Sequence, residues 1–309
     1  MRPHDLTLKS ALSVMAWMLL LRLAGAQAIP AAVSADPPPD AEHPARMQVV
    51  HIPTHGELIN GVLYLPSGAG PHPVVILFRG LPGNETNQDL AQAIRRANWS
   101  VLMLSSRGSW GSPGRYSYRH LREDGLAAIE FVRDAHNSAQ FALDSQRIVL
   151  MGHSTGGFVA VESAAATPQI VGLALISASD DANEAVIAHR SPSAWKQFVK
   201  ESYADSMESL RGCTPEGLAR EALDGAPSWS FAVAAPRLVG RPLLLVTSDD
   251  GLAEEGEALA AAVERGSAST QAGLVRRLHL TTDHLYSDHR IALQAAIVSW
   301  LQQTFPTSS

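Results

Sequence analysis

The stretch Ile148-Val149-Leu150-Met151-Gly152-His153-Ser154-Thr155-Gly156-Gly157-Phe158-Val159-Ala160-Val161 decides how this chain is read. Its first four residues predict a buried strand, and the apolar run after Ser154 predicts a helix. Between them stands Gly-x-Ser-x-Gly, a strand-to-helix turn that holds a serine on a strained corner with its hydroxyl outward. The backbone approaches itself so closely there that side chains at positions 152 and 156 must be nearly absent, hence the two glycines. The Thr155 amide then lies at a helix N-terminus, where free N–H groups and the helix dipole favour an oxyanion. At ordinary residue usage the pentapeptide arises by chance in roughly one chain in eight of this length, so partners elsewhere must decide.

A serine hydroxyl is a weak nucleophile until a base takes its proton, and the base needs an orienting carboxylate. On a sheet of this kind they are expected on later strand-end loops, in the order Ser, acid, His. Leu243–Thr247 predicts a strand and runs into Ser248-Asp249-Asp250-Gly251. Asp250 sits farther past the strand end and is the candidate acid, with Asp249 as the alternative; either is also suited to capping the next helix. Leu278-His279-Leu280 leads into Thr281-Thr282-Asp283-His284, and His284, in the loop before the last helix, is the candidate base ahead of His289 and His279. The spacing of Asp283, His284, Asp288 and His289 matches no standard zinc motif, and no cofactor fingerprint occurs, so neither metal nor cofactor is expected. A second oxyanion donor should come from Phe78-Arg79-Gly80-Leu81-Pro82-Gly83, where the Leu81 amide is available and Pro82 has none.

Outward from these motifs the chain alternates apolar strands and amphipathic helices from Pro73 to Gln303. That alternation predicts an α/β fold, a mostly parallel central sheet covered by helices on both faces. Met47–Ile52 and Leu58–Leu65 predict two further strands around a His55-Gly56-Glu57 turn. Ser177–Gly240 breaks the rhythm with short helical stretches and several aromatics, which predicts a small cap insertion, about residues 177–240, over the carboxyl ends of the strands. The aromatics read first as the insertion's own core.

With these residues in place, the chain from about Met47 to Phe305 resembles the α/β-hydrolase-fold serine hydrolases. Within that superfamily it is most similar to bacterial esterases, dienelactone-hydrolase-like and serine-aminopeptidase-like members. Arg79-Gly80-Leu81-Pro82-Gly83 is similar to the family's His-Gly-aromatic-Pro-Gly oxyanion loop. Arg79 replaces the histidine, whose side chain supports the loop. Arg107-Gly108-Ser109-Trp110-Gly111-Ser112 is similar to a loop that borders the active site, which would bring Trp110 to the acyl pocket. The resemblance implies a serine esterase with Ser154, Asp250 and His284 as triad and an acyl-enzyme intermediate. Alternatives are a serine peptidase or amidase using the same triad, and a catalytically silent binding protein of the same fold.

Composition bounds the rest. The 309 residues carry a formal charge of −6, with no basic block of the kind that binds nucleic acid. Arg2 and Lys9, the apolar run Ala11–Leu21 and Ala26-Gln27-Ala28 predict a signal peptide over residues 1–28. Export to a periplasm or beyond the cell would follow, with a formal charge of −8 and no stable membrane span in the mature protein. Residues 29–46, rich in proline and alanine, predict an extended linker. Cys213 is the only cysteine, so no intrachain disulfide forms. The expected partner is a small-molecule ester; oligomeric state is not legible.

Overall fold

The structure, a computed structural model, describes residues 29–267 and 274–306. The expected signal peptide lies outside the described residues. Eight strands form one sheet: β1 (Arg46–Thr54), β2 (Glu57–Leu65), β3 (His72–Phe78), β4 (Ser100–Leu104), β5 (Leu143–His153), β6 (Gly172–Ile176), β7 (Leu243–Thr247) and β8 (Val275–His279). Their spatial order is β1-β2-β4-β3-β5-β6-β7-β8. β1, β2 and β4 pair antiparallel, and every pair from β4 to β8 is parallel. This is the mostly parallel α/β sheet that the alternation predicts.

Local sequence explains each part. β3, β4, β6 and β7 are buried along their whole length, as strands covered on both faces must be. β1, at one edge, buries only alternate residues. The β1–β2 hairpin turns on His55 and Gly56, both at positive φ (44° and 85°), the geometry that matches strand twist in a two-residue loop.

Alternation along the strands divides the core. Ile76, Phe78, Leu150, Leu175 and Leu245 face one layer, while Leu77, Met151, Ile176 and Val246 face the other. The first layer contains α3 (Tyr118–Arg133) and α5 (Thr155–Ala166), whose first eleven residues are all buried. The second contains α2 (Gln88–Arg96) and the last helix, Arg290–Thr304.

Two segments differ from expectation. Residues 31–34 form a helical turn, α1 (Ala31–Ser34), within the expected linker. Ala32 and Val33 are buried with Ala93 and Val298, and Arg96 Nε donates to the Ala32 carbonyl at 2.6 Å. Apolar Ala32-Val33 has a cleft to fill, whereas Pro37–Pro39 have none and stay exposed. A second short helix not singled out in the sequence, α4 (Ala135–Phe141), follows α3 directly, and the Asp134 side chain caps it by accepting from Asn137 N–H.

Between β6 and β7 the chain is helical throughout its ordered elements: α6 (Asp181–Ala188), α7 (Pro192–Tyr203), α8 (Pro215–Trp229) and α9 (Phe231–Ala234), with short 3-10 turns. Trp195, Phe198 and Tyr203 contact one another edge to face or tilted, so these aromatics serve as internal core. Residues 209–211 hydrogen-bond along the loop after β4: Trp110 N–H to Ser209, Tyr116 N–H to Arg211, and Arg211 N–H to Gly108.

Candidate active site

Ser154 terminates β5 at φ 57°, ψ −131°, a backbone conformation that strains a residue with a side chain. The flanking glycines explain how it is held. A Cβ at Gly152 would stand 2.0 Å from the Gly156 carbonyl oxygen, and one at Gly156 would stand 2.3 Å from that of Phe78. Only glycine lets β5, α5 and the loop after β3 meet here. Thr155 opens α5, so its amide belongs to the first turn, whose N–H groups have no intrahelical acceptor.

The loop after β3 packs directly on the candidate nucleophile. A Cβ on Gly80 would lie 2.9 Å from Ser154 Cβ and 3.4 Å from its hydroxyl. Leu81 follows immediately, half-buried against the first core layer. Trp110, at φ 47°, donates from its indole to the Pro82 carbonyl at 2.6 Å and ties the loop after β4 to the same place. That second loop is anchored by Asp124, which accepts from Arg107 N–H at 2.7 Å, Arg107 Nε at 2.6 Å and Thr54 Oγ1 at 2.9 Å. A recess of about 510 Å³ opens between Trp110, Pro82 and residues 208–211.

Asp250 and His284 are brought together: His284 Nδ1 lies 2.8 Å from Asp250 Oδ2. A carboxylate can only accept, so Nδ1 carries the hydrogen and Nε2 is left with a lone pair. Burial tends to raise the Asp250 carboxyl, but hydrogen bonds from His284, Leu252 N–H, Ser177 and Ser248 outweigh it and hold the group well below the usual carboxylate range. The acid therefore stays ionised. Ser177 Oγ also meets Ser248 Oγ and Tyr286 OH, each at 2.8 Å, which braces the acid from beneath. Asp249 turns the other way, to His279 Nε2 at 3.0 Å. His289 pairs with Asp288 at 2.8 Å. The structure thus separates the acids and histidines that sequence spacing left open.

His153 was not singled out by sequence, yet it joins the end of β5 to the candidate base. Its Nε2 donates to the His284 carbonyl at 2.8 Å, and the two rings lie 4.7 Å apart, centroid to centroid. Burial, then the charge of His284, lowers its pKa to about 4, so it is a neutral donor. The only sequence signal is a histidine adjoining the serine at the end of an apolar strand. Arg79, which stands where the similar family has a loop-supporting histidine, makes no hydrogen bond from its side chain to any described residue, and its Nε is buried.

On the other side of Ser154, α6 begins with buried acids. Asp181 accepts from Thr155 Oγ1 and Ser179 Oγ, each at 3.1 Å. Asp180 accepts from Phe231 N–H at 2.8 Å, and Glu255 accepts from Asp180 N–H at 2.7 Å. One Glu184 oxygen is buried without a partner. Burial, reinforced by the charges of neighbouring carboxylates, pushes Glu184 up to about 8 and Glu255 to about 7, and burial alone pushes Asp180 to about 6.

Comparison with known proteins identifies the fold. The hyperthermophilic esterase of the archaeon Pyrobaculum calidifontis superposes with a TM-score of 0.59 at 18% identity, over 85% of this chain and 87% of that one. The thermostable carboxylesterase EstE1, from a metagenomic library, gives 0.57 at 22% identity, over 84% and 91%. An acylaminoacyl peptidase of Pyrococcus horikoshii gives 0.61 at 15% identity, over 84% and 41%. The fold is the α/β-hydrolase fold. An uncharacterized protein of Mycobacterium tuberculosis strain H37Rv, Rv2307c, is 34% identical over 138 residues, 44% of this chain and 47% of its own. The chain thus spans about half the length of the curated relatives it matches. The family model described as "Protein of unknown function (DUF1749)" matches residues 74–252, more than half of the chain, and the chain belongs to that family.

Proposed function

We propose that the protein is a serine hydrolase that cleaves carboxylic esters of small molecules, and that residues 1–28 direct its export. The observation that carries the reading is the Asp250–His284 pair at 2.8 Å, linked through His153 to a serine on a strained, glycine-flanked corner. In this reading Ser154 Oγ attacks the ester carbonyl carbon and gives its proton to His284 Nε2. The amides of Leu81 and Thr155 donate hydrogen bonds to the tetrahedral oxyanion. Collapse breaks the C–O bond, and the alcohol leaves with the proton from His284. Water then attacks the acyl-enzyme by the same route in reverse, with Asp250 fixing the imidazole throughout. The helices between β6 and β7, with Trp110, shape the pocket.

A fluorophosphonate probe tests this. Wild-type protein should be labelled and Ser154→Ala should not; equal labelling, or none in either, rejects the reading. The same machinery serves amides, so aminoacyl-amide substrates run beside esters decide between esterase and peptidase.

A further inference from the structure

Arg79 is the residue whose environment the proposed chemistry leaves unexplained. It is half-buried at the carboxyl end of β3, one residue before Gly80, which touches Ser154. Its Nε is buried with no hydrogen-bond partner, and among the described residues it is in no ion pair. Burial lowers its pKa, and the group whose charge bears on it is the Tyr64 phenol, not a carboxylate. A guanidinium carries five donors, and leaving the buried Nε–H unmatched is costly.

Arg79 lines a recess of about 140 Å³. Val62 and Met103 form its apolar wall, and Asn60, Tyr64, Gln88 and Ser105 supply polar groups without negative charge. Arg79 also lines a second, smaller recess together with Pro82, Trp110 and Gly80, the residue that abuts Ser154. A space of 140 Å³ is too small for a whole substrate, which typically needs about 300 Å³ or more, but suits one compact head group. Planar, forked donors match a carboxylate or phosphate above other groups.

We propose that Arg79 and this recess form an anion subsite, and that the ester cleaved at Ser154 carries a compact oxyanion, a carboxylate or phosphate, that seats there. The proposal rests on the hydrolase reading and narrows its substrate class. The subsite neighbours the oxyanion loop, so binding the anion also fixes the ester over the nucleophile.

The test uses full-length mature protein at low ionic strength. p-Nitrophenyl hemiesters of succinic, glutaric and adipic acid are compared with neutral p-nitrophenyl esters of matched chain length, with inorganic phosphate as competitor. At one chain length or more, kcat/KM for the anionic ester should exceed that of its neutral match by about tenfold or more. Arg79→Met should reduce that ratio about tenfold, and Arg79→Lys should retain part of it. Phosphate that inhibits the anionic ester more than the neutral one supports a site for any compact oxyanion; a preserved ratio without phosphate inhibition supports a substrate carboxylate. Neutral esters cleaved at Ser154 with no anionic preference at any length overturn the subsite and leave the hydrolase reading standing. A ratio unchanged in Arg79→Met does the same. No Ser154-dependent turnover of either ester class overturns both. The wild-type ratio decides even where Arg79→Met does not fold.

Discussion

Replacing Glu184 with Gln should stabilise the protein at alkaline pH and change little in mild acid. Glu184, Asp180, Asp181 and Glu255 share a buried region beside Thr155, and among the described residues none is in an ion pair with a cation. Burial first, then the charges of Asp181, Glu255 and Asp180, push Glu184 from an ordinary 4.5 to about 8. A carboxyl raised in the folded state contributes stability that is complete below its unfolded value and is lost as pH rises through its folded value. The window therefore runs from near 4.5 to about 8, with stability falling as pH rises. At ~1.36 kcal/mol per pH unit that interval amounts to at most about 5 kcal/mol. Glu184 is only partly buried as a residue, so water and local relaxation reduce the cost, and we expect Gln to gain about 2 kcal/mol at about pH 9. Urea unfolding at about pH 5 and about pH 9 measures it; with a slope of about 2 kcal/mol/M, the midpoint should move up by about 1 M at the higher pH only. An equal effect at both pH values, or a loss at the higher one, would refute the reasoning.

Three further outcomes probe the site. Asp250→Asn should lower kcat roughly a thousandfold by losing the imidazole's orientation, whereas Asp249→Asn, which faces His279, should stay within about threefold; the reverse order in steady-state kinetics would reassign the acid. Gly156→Ala places a methyl 2.3 Å from the Phe78 carbonyl oxygen and 2.5 Å from that of Arg79, so the oxyanion loop must shift. Thermal unfolding should show about 2 kcal/mol of destabilisation, with hydrolysis lost, and near-wild-type activity would contradict the packing argument. His153→Phe keeps the ring beside His284 but removes its N–H donor; kcat should fall about tenfold with KM little changed, and an unchanged kcat would show that the bond positions nothing.

How far the sequence revealed this site depended on the residues concerned. The central strands were legible because a strand buried on both faces must be apolar throughout, as Val74–Phe78 and Leu243–Val246 are. Gly152 and Gly156 were legible because contacts near 2 Å exclude every other residue. The choice between two adjacent aspartates was open to sequence only as a guess. The two differ in partners that the fold supplies: Asp250 meets His284 and Ser177, both far away in sequence, whereas Asp249 meets His279. His153 and Arg79 were similarly opaque: one acquires meaning from a carbonyl 131 residues away, the other from the partner it lacks. The turn Ala31–Ser34 escaped a reading based on proline content because a four-residue helix has no period to detect, only a cleft to fill.

The central claim is that Ser154 forms an acyl-enzyme. Mixing mature protein with a p-nitrophenyl ester, quenching in acid within the first turnover and measuring peptide masses tests it most directly. One acyl increment should appear, carried by the peptide containing Ser154, and none in Ser154→Ala. An acyl group on another residue, or hydrolysis undiminished in Ser154→Ala, would contradict it.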